Sequence, residues 1–144
     1  MTTIAPPPTT TRHVAALPRD LHSPAAARRI TARWLESVGR GARTPDVIVI
    51  VSELVTNAVR HTDGPCVLTL TAHSASVDLA VTDHSEEIPD LRRRDGGDHR
   101  GGFGLEIMRS LGGRITVVPR LGGKTVHVTL TLAPDTADSR DAPP

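Results

Sequence analysis

The sequence predicts an α+β fold, a two-layer α/β sandwich in which helices cover one face of a mostly antiparallel mixed sheet. Three observations predict it. Two proline-marked helix starts, Ser23-Pro24 and Thr44-Pro45-Asp46, lie in the first third of the chain. Four strand-like runs follow, and they come as two pairs, each joined by a short turn, which favours antiparallel pairing. A length of 144 residues fits one domain with one core.

The elements follow in order. His13–Leu17 reads as a short strand closed by Pro18. Ser23 then stands as an N-cap with Pro24 at the first helical position. Ala26, Ile30, Ala32, Trp34, Leu35 and Val38 form an apolar stripe at helical spacing, ended by Gly39. The next segment carries two signals. Val47–Val51 has the β-branched composition of a buried strand, whereas Leu54, Val55, Ala58 and Val59 keep helical spacing. The cap signal at Thr44 favours a single, largely buried helix over 45–62.

Asp63-Gly64-Pro65 marks a turn, and Cys66–Ala72 and Val77–Asp83 are strands joined by the turn His73–Ser76. The stretch 84–102 is long and polar, containing Arg92-Arg93-Arg94, which reads as a solvated run. Connections of that length are functional loops or disordered segments. Gly104–Leu111 is a short helix ended by Gly112-Gly113, and Arg114–Pro119 and Lys124–Leu132 form the last hairpin. Val126, Val128, Leu130 and Leu132 face one way in its second strand, and Thr125, His127, Thr129 and Thr131 the other. Met1–Arg12 and Ala133–Pro144 are rich in Pro, Thr, Asp and Ala and read as flexible tails around a domain over 13–132.

Composition excludes several classes. The formal charge is +1 with both signs interspersed, which argues against nucleic acid as the main partner. The single Cys66 forms no internal disulfide and suits a reducing compartment. No apolar run is long enough to span a membrane and no secretion signal precedes the domain, so a cytoplasmic location is expected. The seven histidines show no zinc-type spacing. Gly123-Lys124-Thr125 resembles the end of a Walker A loop, but Val118 stands where that motif needs Gly, and a strand follows rather than a helix.

Three features carry possible chemistry. Glu53, Asn57 and His61 are spaced four residues apart, so they share one stripe of a helix that is otherwise apolar. That stripe is either a solvated face or part of a site. Asp83 continues the apolar parity of Val77, Leu79 and Val81. A carboxylate there is either paired or awaits a ligand. Gly101-Gly102-Phe103-Gly104 opens a helix and suits either a hinge or the close approach of a phosphate.

Val51–His61 (VSELVTNAVRH) resembles the N-box of the GHKL, or Bergerat-fold, superfamily of ATPases and kinases. More narrowly, the chain is similar to the bacterial anti-sigma factor serine kinases of the RsbW and SpoIIAB type. Val81–Ser85 falls at the adenine box, Arg100–Leu105 at the second glycine box, and Gly122–Val126 before the last strand. The four motifs stand in the family's order across about residues 20–132. Ser85 replaces a glycine that the wider superfamily has in its adenine box.

The resemblance implies a cytoplasmic protein serine/threonine kinase that uses ATP and Mg²⁺. In it Glu53 is the general base, Asn57 gives its carbonyl oxygen to Mg²⁺ and Asp83 accepts from the adenine amino group. Contacts to the nucleotide are implied for Asn57, His61, Asp83, Ser85, Gly101, Gly102, Phe103, Gly104, Leu105 and Thr125, with 84–100 as a lid. The implied partners are a sigma factor and a STAS-type antagonist, with a homodimer expected from the family. The alternative is a non-catalytic ATP-binding module that acts only by holding a partner.

Overall fold

The computed structural model describes residues 10–89 and 104–132. The element order is β1 (Thr11–Leu17), α1 (Ser23–Ser37), a single 3-10 turn (Gly41–Arg43), α2 (Thr44–His61), β2 (Cys66–Ala72), β3 (Ser76–Asp83), α3 (Leu105–Ser110), β4 (Arg114–Arg120) and β5 (Gly123–Thr131). The five strands form one sheet in the order β1-β2-β3-β5-β4. Each of its pairings is antiparallel, so the sheet is not mixed. A mixed sheet needs a parallel pair and therefore a long crossover. Here two hairpins and the antiparallel addition of β1 remove that need.

The segment with two signals is helical throughout. Val47, Ile50, Val51, Leu54, Val55 and Ala58 are buried at helical spacing along α2. β-branched residues cost a helix little when tertiary burial supplies the driving force. α2 packs against β2, β3 and β5, and α1 packs on α2. The inward residues Leu68, Leu70, Val77, Leu79, Val128 and Leu130 meet Leu35, Val47 and Val51 in one core.

Element ends differ from the sequence reading for local reasons. β1 begins at Thr11, two residues before the expected strand, because Thr11 and Arg12 pair with Ala72 and Thr71. The Ser23 hydroxyl makes no cap bond; it donates to the Pro18 carbonyl at 2.6 Å, and His22 holds the N-cap position. α2 starts at Thr44 with Arg43 before it, and the Thr44 hydroxyl donates back to the Gly41 carbonyl at 2.8 Å. α3 spans only Leu105–Ser110. Its Gly112 has φ +90°, and the N–H groups of Gly112 and Gly113 close onto the Arg109 and Met108 carbonyls. That pattern stops a helix, and only glycine adopts the left-handed turn without strain.

No helix among the described residues is long and apolar enough to cross a membrane. The segments 1–9 and 133–144 of the expected tails lie outside the described residues, as do residues 90–103, with Arg92-Arg93-Arg94 and most of the expected lid.

Candidate functional site

A cleft opens between α2, the C-terminal end of β3, the start of β5 and α3. Its apolar walls are Leu54 from α2, Val81 from β3, Leu105 and Met108 from α3, and Val126 from β5. Asn57, Asp83 and Lys124 supply its polar groups, and Pro89 closes one side. Apolar walls with a few convergent polar groups are the usual construction of a small-ligand site.

Three sequence elements put those groups together. Helical spacing brings Glu53, Leu54 and Asn57 to neighbouring positions on α2, with Glu53 and Asn57 half-buried. Strand alternation turns Asp83 inward behind Val81, and it is 6% exposed. The same alternation turns Lys124 inward ahead of Val126, Val128 and Leu130, and it is 2% exposed.

Asp83 is paired. Its two carboxylate oxygens each lie 3.1 Å from the Lys124 Nζ, and its Oδ1 accepts the Ser85 N–H at 2.9 Å. The Lys124 ammonium also donates to the Ser85 carbonyl at 3.3 Å. A buried charge is tolerated when it is paired and hydrogen-bonded, and both members meet that condition. Cys66 lies close enough to feel the Asp83 charge. Burial first, and then that charge, push its thiol up to about 11.

Glu53 has no hydrogen bond or ion pair among the described residues, so its carboxylate stays uncommitted. It lies against Gly104, which has φ +67° just before α3. A Cβ at Gly104 would run into the Glu53 carboxyl, whose Cδ would be 2.9 Å away. The backbone angle favours glycine here, while the close approach is to the end of a flexible side chain that can turn aside. Gly104→Ala is expected to destabilise the fold by about 1–2 kcal/mol from the left-handed backbone alone. The urea midpoint measures it; an unchanged midpoint removes the constraint.

The other expected site residues divide. Leu105 lines the cleft and Ser85 contributes its backbone rather than its hydroxyl, which accepts the Glu87 N–H at 3.1 Å. His61 is two turns beyond Glu53 on α2 and does not line the cleft. Thr125 is a correction: strand parity places its side chain on the opposite face of the sheet, where its hydroxyl meets that of Thr82 at 2.8 Å. The inward neighbour Lys124 takes the place in the cleft. Gly101, Gly102 and Phe103 lie outside the described residues. With six residues, α3 is too short for its N-terminus to count as an anion site by itself.

Lys124 is the residue that sequence reading missed. Its signal was its parity with Val126, Val128 and Leu130, masked by the resemblance of Gly123-Lys124-Thr125 to a phosphate loop.

A family model described as a histidine kinase-like ATPase domain matches residues 16–131. The chain belongs to this family. Among solved structures, the RsbU and RsbW domains of Rv1364c from Mycobacterium tuberculosis resemble this histidine kinase-like ATPase domain with a TM-score of 0.65. They share 18% identity over 88% of this chain and 35% of that one. A nucleotide-free catalytic domain of the histidine kinase ThkA gives a TM-score of 0.53 at 18% identity, over 88% of this chain and 98% of that one. At such identity the likeness establishes the fold, and the ATPase domain described here spans about a third of the first structure. No curated protein matches the chain.

The residues present fit a nucleotide in part. The apolar walls suit the faces of a base, and Asn57 is among the residues that line the cleft. Among the described residues no group of three His, Cys, Asp or Glu side chains could hold a metal alone. The amide oxygen of an asparagine is the kind of hard donor that Mg²⁺ takes beside phosphate oxygens and water. The acceptor Asp83 is already engaged by Lys124.

Proposed function

We propose that this histidine kinase-like ATPase domain is an ATP- and Mg²⁺-dependent protein serine/threonine kinase of the anti-sigma type. In this reading it acts in the cytoplasm, holds a sigma factor and phosphorylates a STAS-type antagonist, and so regulates transcription. The observation that carries the reading is the uncommitted Glu53 carboxylate, set on the same helix as Asn57 and against Gly104, each next in sequence to a residue that lines the cleft, Leu54 and Leu105.

The residues divide the work by position. Leu54, Val81, Leu105, Met108 and Val126 enclose the base and exclude water from its faces. Asp83 accepts from the base amino group. Asn57, one turn along α2 from Glu53, contributes its amide oxygen to the metal. Glu53 takes the proton of the incoming serine hydroxyl, a role that needs an accessible and unpaired carboxylate. ATP supplies the phosphoryl group. Gly101, Gly102 and Phe103 belong to the proposed phosphate loop on the strength of sequence alone, and a homodimer belongs to the same proposal.

A second reading is a non-catalytic module that acts only by holding its partner. It is favoured by the Lys124–Asp83 pair, which engages the expected base acceptor. Incubation of the full chain with γ-labelled ATP and candidate antagonists separates the two. Label on a serine of the antagonist is expected. Tight partner binding without transfer, with ATP and Mg²⁺ present, leaves only the second reading.

A further inference from the structure

We propose that Lys124 is an internal competitor for the base acceptor of the cleft, and that it thereby sets the affinity and the base edge accepted. The inference rests on the reading of this cleft as a base-binding site.

The pair is built to be occupied. Asp83 and Lys124 stand opposite each other in the β3–β5 register. Gly123 brings the two strands so close that a Cβ there would run into the Asp83 carbonyl oxygen. Lys124 is therefore aimed at Asp83 by the backbone. Its ammonium donates to Oδ1 at 3.1 Å and to the Ser85 carbonyl at 3.3 Å, and it lies 3.1 Å from Oδ2 as an ion pair. The Ser85 N–H takes a further position on Oδ1. Most of the acceptor capacity of Asp83 is thus filled by the chain itself, leaving room on Oδ2 alone.

A base whose amino group donates to Asp83 meets this pair in one of two ways. Expelling the ammonium leaves a buried cation with the Ser85 carbonyl but no counter-charge, which is strongly unfavourable. Sharing Asp83 avoids that cost only when the base offers an acceptor beside its donor, to accept a hydrogen bond from an ammonium N–H turned away from Asp83. An amino group next to a ring nitrogen has that pattern; an isolated amino group does not. Lys124 therefore weakens every ligand that competes for Asp83 and weakens least those with a paired donor and acceptor.

Calorimetric titration of ATP with Mg²⁺ into the full chain tests this against Lys124→Thr and Lys124→Met. Threonine suits a strand and keeps a hydroxyl donor near Asp83, whereas methionine keeps the stem and removes the charge. Both variants are expected to bind ATP tighter by about tenfold or more, since the acceptor no longer has to be won from a buried cation. Equal or weaker binding by folded variants overturns the competitor role while ATP binding itself stands. No binding by any of the three proteins overturns both this inference and the function proposed above.

A measurement on the unaltered protein covers the case of variants that do not fold. Lys124 is the sole lysine of the chain, so isotope-labelled lysine places a single side-chain signal in the NMR spectrum. ATP is expected to move that signal. Saturating ATP that binds and leaves it unmoved overturns the inference.

Discussion

Glu53→Gln is expected to lower phosphoryl transfer by about a hundred- to ten-thousandfold, the ordinary contribution of a positioned general base. Affinity for ATP is expected to stay within a few-fold, roughly 1 kcal/mol or less. The substitution preserves shape and removes only the charge. Glu53 makes no hydrogen bond or ion pair among the described residues, so nothing in the fold depends on that charge. It also stands outside the residues that line the base cleft. A merely structural glutamate would show the reverse pattern, a lowered melting temperature with transfer tracking the folded fraction. The decisive comparison is the rate of label transfer from γ-labelled ATP at saturating nucleotide. Equal rates for the two proteins remove Glu53 as the base.

Asp83→Asn is expected to destabilise the protein by about 3–5 kcal/mol, because it strands the Lys124 ammonium in the interior. An amide can still accept one hydrogen bond from the lysine, but it carries no charge to balance it. Domains of this size are stable by only about 5–15 kcal/mol, so the loss is a large share of the whole. Urea unfolding followed by circular dichroism measures it. The double variant Asp83→Asn with Lys124→Met is expected to regain most of the loss, since no buried cation remains. A single variant as stable as the wild type shows that the pair does not hold this end of the sheet. The size of the effect bears on any binding assay: loss of ATP binding in Asp83→Asn reports on base recognition only where folding has been verified.

Much of this architecture was legible because local signals and burial agreed. The alternation of Val126, Val128 and Leu130 with Thr125, His127, Thr129 and Thr131 survives as the buried and the part-exposed or exposed faces of β5, and Leu132 just beyond it is buried as well. Cys66–Ala72 occupies the expected span as β2. Val47–Val51 is ambiguous from composition, and the Thr44-Pro45 start resolves it because a helix begun there buries every third or fourth residue. What the sequence hid was pairing between residues far apart. Nothing near Asp83 announces that its partner is 41 residues away, since strand order decides which ends meet. Thr125 alternates with Val126, and that parity sets its side chain on the other face of the sheet, beside Thr82. Ser23 shows the limit of cap rules, because the Pro18 carbonyl competes for its hydroxyl.

The position of β4 at the margin of the sheet bears on self-assembly. A margin strand presents unpaired backbone groups that invite another chain to add on. β4 carries Pro119, which has no N–H to offer, and exposed Arg114 and Arg120 near its two ends. Bulk, charge and a missing donor all oppose the docking of a further strand there. Growth of the sheet across this side into fibrous or swapped aggregates is thereby disfavoured, and a twofold assembly of the protein would have to use some other surface.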